Sequence, residues 1–314
     1  MKVVAILGGL GSQMLKYAFY LSVKENSNEK CYIDTTPFYM QNMWNGYELN
    51  RIFGINAPDI VDLYSEKEIL NLKSCGYGYR KKTIETMKKM EPQKNIFYYI
   101  RGKKRKWSKF NNLLYTLNSV FLSKYNTEFI DEYDNKYLTI KDNVFFDEFN
   151  HTSDKYIKNI KYDLKKVFCF PEFQDKKNQE IKERMQQTEA VAVHVRRSDH
   201  LYDNEELISS GYYKKSVKYI KEKVECPVFF IFSEDVTWCK ENLDKIGIEE
   251  TDSYYFIDWN KNENSYRDMQ LMTYCKHNIL AISSFSWWGY YLSKHESKIV
   301  CAPKGYWSEV LVHF

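Results

Sequence analysis

Between residues 190 and 302 the chain repeats one pattern: a short unbroken apolar run, then a polar or glycine cluster, then a segment with helical spacing. The apolar runs are Ala190–Val195, Pro227–Phe232, Tyr254–Ile257, Asn278–Ile282 and Lys298–Ala302. Ser233-Glu234-Asp235 reads as the cap of a helix running through Leu243. Ser265–His277 sets Met269, Met272 and Cys275 on one side, and Ser286–Lys294 reads as a third helix. Runs that are continuously apolar, rather than alternating, mark strands buried on both faces, which points to a parallel sheet covered by helices on each side.

The N-terminus repeats the rhythm once. Lys2–Leu7 is a β-branched run, Gly8-Gly9-Leu10-Gly11 is a turn, and Ser12–Lys24 has helical spacing at Met14, Leu15, Ala18 and Leu21. A second short strand, Cys31–Asp34, ends in an acid. Strand, turn, helix and strand make a βαβ unit. The stretch from 60 to 165 mixes aromatic with charged residues and resists assignment. A length of 314 residues suits about two domains. The fold class predicted is therefore α/β, with two Rossmann-like domains, 1–163 and 164–314, facing a central cleft.

Composition removes several classes. At 44% hydrophobic and 28% charged residues the chain is neither disordered nor polytopic. No run approaches the roughly 20 apolar residues that span a bilayer. The seven cysteines are odd in number and no pair has Cys-x-x-Cys spacing, so a reduced, cytoplasmic protein is expected. Net charge is only +4, but residues 80–110 hold twelve Lys/Arg against two acids. That segment is read either as a solvated face or as a peripheral contact with an anionic membrane at its inner face. Nucleic acid is not expected as a partner, because no nucleic-acid motif accompanies the charge.

Ligands of doubly wound sheets bind beyond the carboxyl ends of the strands, so the residues following each strand carry the chemistry. His194-Val195-Arg196-Arg197-Ser198-Asp199 follows one strand. Two adjacent arginines at a strand end are costly to bury without anions, and a guanidinium matches phosphate oxygens bidentately. Arg196 is read as a phosphate ligand, and Arg197 as a brace or a partner of Asp199. Ser283-Ser284-Phe285-Ser286 ends a strand and opens a helix, where backbone N–H groups and hydroxyls suit a phosphate; Trp287 and Trp288 read as core. Gly9-Leu10-Gly11-Ser12-Gln13 permits close approach of backbone to a ligand, but Met14 stands where a dinucleotide fingerprint has its third glycine.

The chain has no Asp-x-Asp clamp, no two histidines four apart, no Gly-x-Ser-x-Gly elbow and no P-loop. Those patterns speak against a metal hydrolase, a serine hydrolase and a P-loop kinase. A site that handles a diphosphate through arginine, serine and backbone dipoles fits glycosyl transfer, where positive charge stabilises a nucleoside diphosphate leaving group.

Four blocks then resemble the inverting α-1,2-fucosyltransferases of glycosyltransferase family 11: GGLGSQMLKYAF, HVRRSD, IFSEDVTWCKENL, and SYRDMQLMTYCKHNILAISSFSWWGYYLS. The resemblance covers residues 6–20 and about 190–305. It implies a GT-B fold, GDP-β-L-fucose as donor substrate, no metal, no separate cofactor, and an α-1,2-linked fucose on a glycan acceptor such as galactose, as in O-antigen synthesis. It places His194 and Arg196 at the donor, the arginine at the β-phosphate, and Asp268 at the guanine. Ser283, Ser284, Phe285 and Ser286 would hold the phosphates and base. Gly9, Gly11, Ser12 and Gln13 would face the fucose and acceptor. The chain departs from the family at Ser12, at Leu15-Lys16 and at Ile282. Asp199 is the nearest carboxylate for a general base, with Asp34, Asp203 and Glu205 as alternatives. An NAD-linked oxidoreductase and a non-catalytic nucleotide-sugar-binding relative are the competing classes.

Overall fold

The computed structural model describes residues 1–40, 44–72, 79–92, 97–102, 126–130, 135–147, 156, 160–197, 201–296, 298–307 and 312–314. The chain divides into two compact units, Met1–Val167 and Phe168–Phe314. The division falls after Val167 rather than after residue 163, because the short helix Leu164–Val167 stays with the first unit.

The N-terminal unit holds a five-stranded, wholly parallel sheet. Its strands are β1 (Lys2–Ala5), β2 (Cys31–Asp34), β3 (Phe97–Gly102), β4 (Asn126–Ile130) and β5 (Asn143–Asp147), in the order β2-β1-β5-β3-β4. Three of the five come from the stretch that resisted assignment. Val3, Ala5 and Phe145 face a core completed by Ile60, Val61, Tyr64, Leu72, Ile84 and Met87. The helix after β1, Leu10–Glu25, has 13 of its 16 residues buried, so it is a core helix rather than the amphipathic one its spacing suggested. Phe19 on that helix meets Phe146 of β5 edge-on, with ring centroids 5.0 Å apart.

The C-terminal unit holds a six-stranded parallel sheet: β6 (Glu189–His194), β7 (Pro227–Phe232), β8 (Ser253–Ile257), β9 (His277–Ile279), β10 (Val300–Ala302) and β11 (Val312–His313). Its order, β11-β10-β9-β6-β7-β8, is that of a doubly wound dinucleotide-type sheet. Val191 and Val193 face Tyr212, Tyr213, Val217 and Ile220 of helix Tyr212–Lys223. Ala190 and Ala192 face the opposite layer, with Leu271, Met272 and Cys275. Both faces are covered, which is why the strands read as unbroken apolar runs. Helices Tyr266–Met272 and Ser284–Tyr291 touch at Gly289, where an added Cβ would lie 2.6 Å from the Met272 Cβ. Trp287 and Trp288 are core residues.

Among the described residues no helix is long and apolar enough to cross a membrane. The six described cysteines are all free thiols. Most of the basic 80–110 segment lies outside the residues whose side chains are described. The described helix Tyr79–Met90 exposes Lys81, Lys88 and Lys89 and turns Thr83, Ile84 and Met87 inward.

Candidate active site

In the C-terminal sheet the chain winds outward from β6 in one direction through β7 and β8. It then returns to the other side of β6 for β9, β10 and β11. The switch point of the winding therefore lies between β6 and β9, and the place beyond the carboxyl ends of those two strands is where doubly wound sheets take their ligands. His194 ends β6 there. Its strand end is pinned by Val195 N–H donating to Phe232 O at 2.9 Å, and by the Tyr213 hydroxyl donating to His194 O at 2.9 Å. The imidazole is 4% exposed, and its Nδ1 has no hydrogen-bond partner among the described residues. Burial, reinforced by the Arg196 guanidinium, pushes the His194 pKa down to about 4, so the ring is neutral at physiological pH. A buried ring nitrogen left unpaired is costly, and such an atom at a switch point marks where a ligand group completes the pairing. Across the switch point the ring faces Phe285, with centroids 5.9 Å apart.

Arg196 and Arg197 have separate environments. Arg197 is a brace: its backbone N–H donates to Glu234, its Nε donates to Asp235 Oδ2 at 3.2 Å, and its guanidinium lies 4.2 Å from the Trp238 ring centroid. Among the described residues its carboxylate partner is Asp235; Asp199, the partner expected from sequence, lies outside them. Arg196 is half-buried beside Glu234. Desolvation works to raise the Glu234 carboxyl, but the charge of Arg196 and the Arg197 N–H outweigh it and hold the group below its usual range. Glu234 is therefore ionised and offsets part of the positive charge of Arg196 at this strand end, whereas the sequence pattern reads Ser233-Glu234-Asp235 together as a helix cap. Asp235 does cap the next helix, accepting from Trp238 N–H at 3.1 Å.

Beyond β9, Ser283 is the N-cap of helix Ser284–Tyr291 and accepts from Phe285 N–H at 3.2 Å. The Ser286 hydroxyl is buried inside the turn, accepting from Ala281 N–H at 3.3 Å and donating to Ser283 O at 3.2 Å. It holds the turn's shape. Ser283, Ser284 and Phe285 keep partial exposure.

Asp268 sits in the first turn of helix Tyr266–Met272 and accepts from Asn260 Nδ2 at 2.8 Å. Asn260 is itself locked by a reciprocal amide pair with Asn178: Asn178 Nδ2 donates to Asn260 Oδ1 at 2.9 Å, and Asn260 Nδ2 to Asn178 Oδ1 at 3.1 Å. Trp259 Nε1 also donates to Asn178 Oδ1, at 3.0 Å, and Asn178 Nδ2 donates to Asp175 Oδ2 at 2.9 Å. Burial pushes the Asp268 carboxyl up to about 7, with Asn260 and Lys261 opposing. Sequence reasoning missed Asn178 and Asn260. Asn260 was within reach of the rule that found the other clusters, since Asp258-Trp259-Asn260 follows β8.

In the N-terminal unit, Gly8 turns the chain after β1 with φ +93°, where a Cβ would meet the Ser12 Cβ at 2.9 Å. Gly9 and Ser12 are half-buried, whereas Gly11 and Gln13 are buried. The Gln13 carboxamide is committed to the fold: Nε2 donates to Gly8 O and to Gly46 O, both at 2.9 Å, and Oε1 accepts from Glu48 N–H at 2.9 Å. It lashes the turn 44–48 to the glycine loop. Asp34 is fully buried. It accepts from Thr83 Oγ1 at 2.7 Å and from Thr36 N–H at 2.9 Å, which makes it a core anchor rather than an accessible base. Glu205 is exposed; Asp199 and the side chain of Asp203 lie outside the described residues. No three His, Cys, Asp or Glu side chains gather as a metal site among the described residues.

A doubly wound unit with an arginine, a neutral buried imidazole and a hydroxyl-capped helix start about its switch point has the architecture of nucleotide-binding α/β proteins. The family model for Glycosyl transferase family 11 matches residues 83–312, and the chain belongs to that family. It is 28% identical to an α-1,2-colitosyltransferase of Escherichia coli over 309 residues, covering 96% of this chain and 90% of that protein. It is 32% identical to human galactoside α-(1,2)-fucosyltransferase 1 over 108 residues, which is 33% of this chain and 28% of the relative. Among solved structures, fucosyltransferase NodZ from Bradyrhizobium aligns over 93% of this chain and 92% of its own, with a TM-score of 0.47 and 12% identity.

Proposed function

We propose that this glycosyltransferase moves L-fucose from GDP-β-L-fucose to a hydroxyl of a glycan acceptor, the 2-hydroxyl of a galactose, with inversion and without a metal. The observation that carries the reading is that the charge of Arg196 lies near the buried His194, whose Nδ1 has no hydrogen-bond partner among the described residues and whose ring meets Phe285 of the serine turn. In this reading the C-terminal unit holds the donor and the N-terminal unit the acceptor. Arg196 and the N–H groups of the Ser283–Phe285 turn receive the charge that grows on the β-phosphate as the C1–O bond breaks. His194 completes its hydrogen bonding with the donor, and Asp268 accepts from the guanine edge. Ser286 and Gln13 serve by fixing the turn and the glycine loop. An acceptor hydroxyl attacks C1 from the face opposite the leaving group, and Asp199 is the carboxylate assigned to take its proton.

Thermal-shift titration with GDP and GDP-fucose, repeated with EDTA, tests the donor and the absence of metal. GDP-colitose is included because the relative that matches over most of its length is a colitosyltransferase. Arg196→Ala should cut turnover by about 10²-fold or more with the fold intact, the scale of losing one such electrostatic donor. Near-normal turnover would refute the role. Peripheral contact of residues 80–110 with an anionic membrane belongs to the same reading and is supported by the basic composition and by the exposed Lys81, Lys88 and Lys89. Equal co-sedimentation with anionic and neutral vesicles at low salt would remove it.

A further inference from the structure

Among the described residues, Trp44 is the exposed large aromatic residue that also carries a strained backbone. Its backbone has φ +52°, in the left-handed region that a bulky side chain avoids. Its side chain is 52% exposed, so the core returns little for that conformation. The indole nevertheless has a defined seat. A Cβ on Gly9 would lie 3.5 Å from the ring, so the ring covers the glycine at the start of helix Leu10–Glu25. The turn that carries it is lashed down by the Gln13 carboxamide at Gly46 O and Glu48 N–H. Buried Glu48 in turn accepts from Arg51 Nη2 at 2.7 Å and from Asn45 Nδ2 at 3.4 Å. A rigidly mounted, half-exposed indole with no ring partner among the described residues is a flat apolar platform beside a polar loop.

We infer that Trp44 is the stacking platform for the acceptor's pyranose ring, taking its C–H face as the hydroxyls reach towards the glycine loop. This rests on the reading of the chain as a GDP-fucose-dependent transferase. The acceptor is favoured over the nucleotide because the groups suited to phosphate and base, Arg196, His194, Ser283 and Asp268, all lie in the C-terminal unit, whereas Trp44 lies in the other. A stack of this kind is worth about a fivefold to tenfold change in affinity. The ring belongs to a substrate rather than to the fold, so removing it should not weaken the fold. Trp44→Gly places at φ +52° the residue best suited to it.

The test uses the full-length protein with GDP bound and lactose as the acceptor probe, read by saturation-transfer NMR, with initial rates from GDP-fucose alongside. Wild type should show a lactose signal that Trp44→Phe keeps and that Trp44→Ala and Trp44→Gly lose. The KM for lactose should rise about fivefold to tenfold in the last two. The Kd for GDP, the KM for GDP-fucose and the slow hydrolysis of GDP-fucose without acceptor should stay unchanged, and Trp44→Gly should melt at or above the wild-type temperature. No lactose signal on wild type, or an unchanged lactose KM in Trp44→Gly, overturns the assignment. A change confined to the donor constants also overturns it, because the ring would then serve the donor. Failure of the underlying reading shows separately, as absence of GDP binding to wild type.

Discussion

The raised carboxyl of Asp268 makes donor binding depend on pH in a way that can be worked out in advance. The group is pushed up to about 7 by burial. If it accepts from guanine N–H donors, binding requires the carboxylate, and any protonated fraction must first lose its proton. The apparent Kd is then multiplied by one plus the ratio of protonated to ionised forms. For a pKa near 7 that factor is about 11 at pH 6, 2 at pH 7 and 1.1 at pH 8. Affinity should therefore rise about tenfold from pH 6 to pH 8, or about 1.4 kcal/mol. Calorimetric titration of GDP at the three pH values measures it. Asp268→Asn, titrated in parallel, removes the contribution of GDP's own terminal phosphate, which is common to both proteins. Asn260→Leu deletes the hydrogen bond that lowers the Asp268 pKa, so its curve should lie at higher pH than that of wild type. If wild type and Asp268→Asn show the same pH dependence, Asp268 does not face the base and the donor assignment at this helix is wrong.

Two further outcomes concern stability. Gly289→Ala should destabilise the C-terminal unit by about 1–3 kcal/mol, the usual cost of overpacking, because the new methyl would lie 2.6 Å from the Met272 Cβ; an unchanged urea midpoint would show that the two helices separate freely. Asp34 has a folded-state pKa raised by burial to about 6, so the native state holds a proton that the unfolded chain releases near pH 4. Stability from this group therefore falls as pH rises from about 4 to 6, by about 2–3 kcal/mol, and stays lower above that. Asp34→Asn should flatten that part of the urea-stability curve, and parallel curves would refute the sign.

The C-terminal sheet was legible because burial on both faces writes itself into sequence as PVFFIF or AVAV. The N-terminal sheet was only half legible. β3, FYYIRG, runs straight into the basic cluster, β4 is the polar NTEFI, and β5, NVFFD, sits among charges, so none has the flanking turns that would set it apart. At the candidate site, His194, Arg196 and the serine turn are legible in the sequence because each ends or follows a strand. Asn178 could not, since it acts on Asn260 across 82 residues of chain. Gln13 looked like a ligand contact because its partners, Gly46 and Glu48, come together with it only in three dimensions. Trp44 was passed over for the same reason, since nothing local marks a tryptophan as seated on a glycine thirty-five positions earlier.

The position of β5 between β1 and β3 also governs how the protein is made. β1 pairs with β2 through residues 31–34, but its other neighbour is Asn143–Asp147. During translation the first strand therefore keeps one open edge until most of its unit has left the ribosome, and an open apolar edge is an invitation to mispairing. A nascent chain halted before residue 143 would present that edge permanently and should seek chaperones or aggregate, whereas one released after 147 can close the sheet.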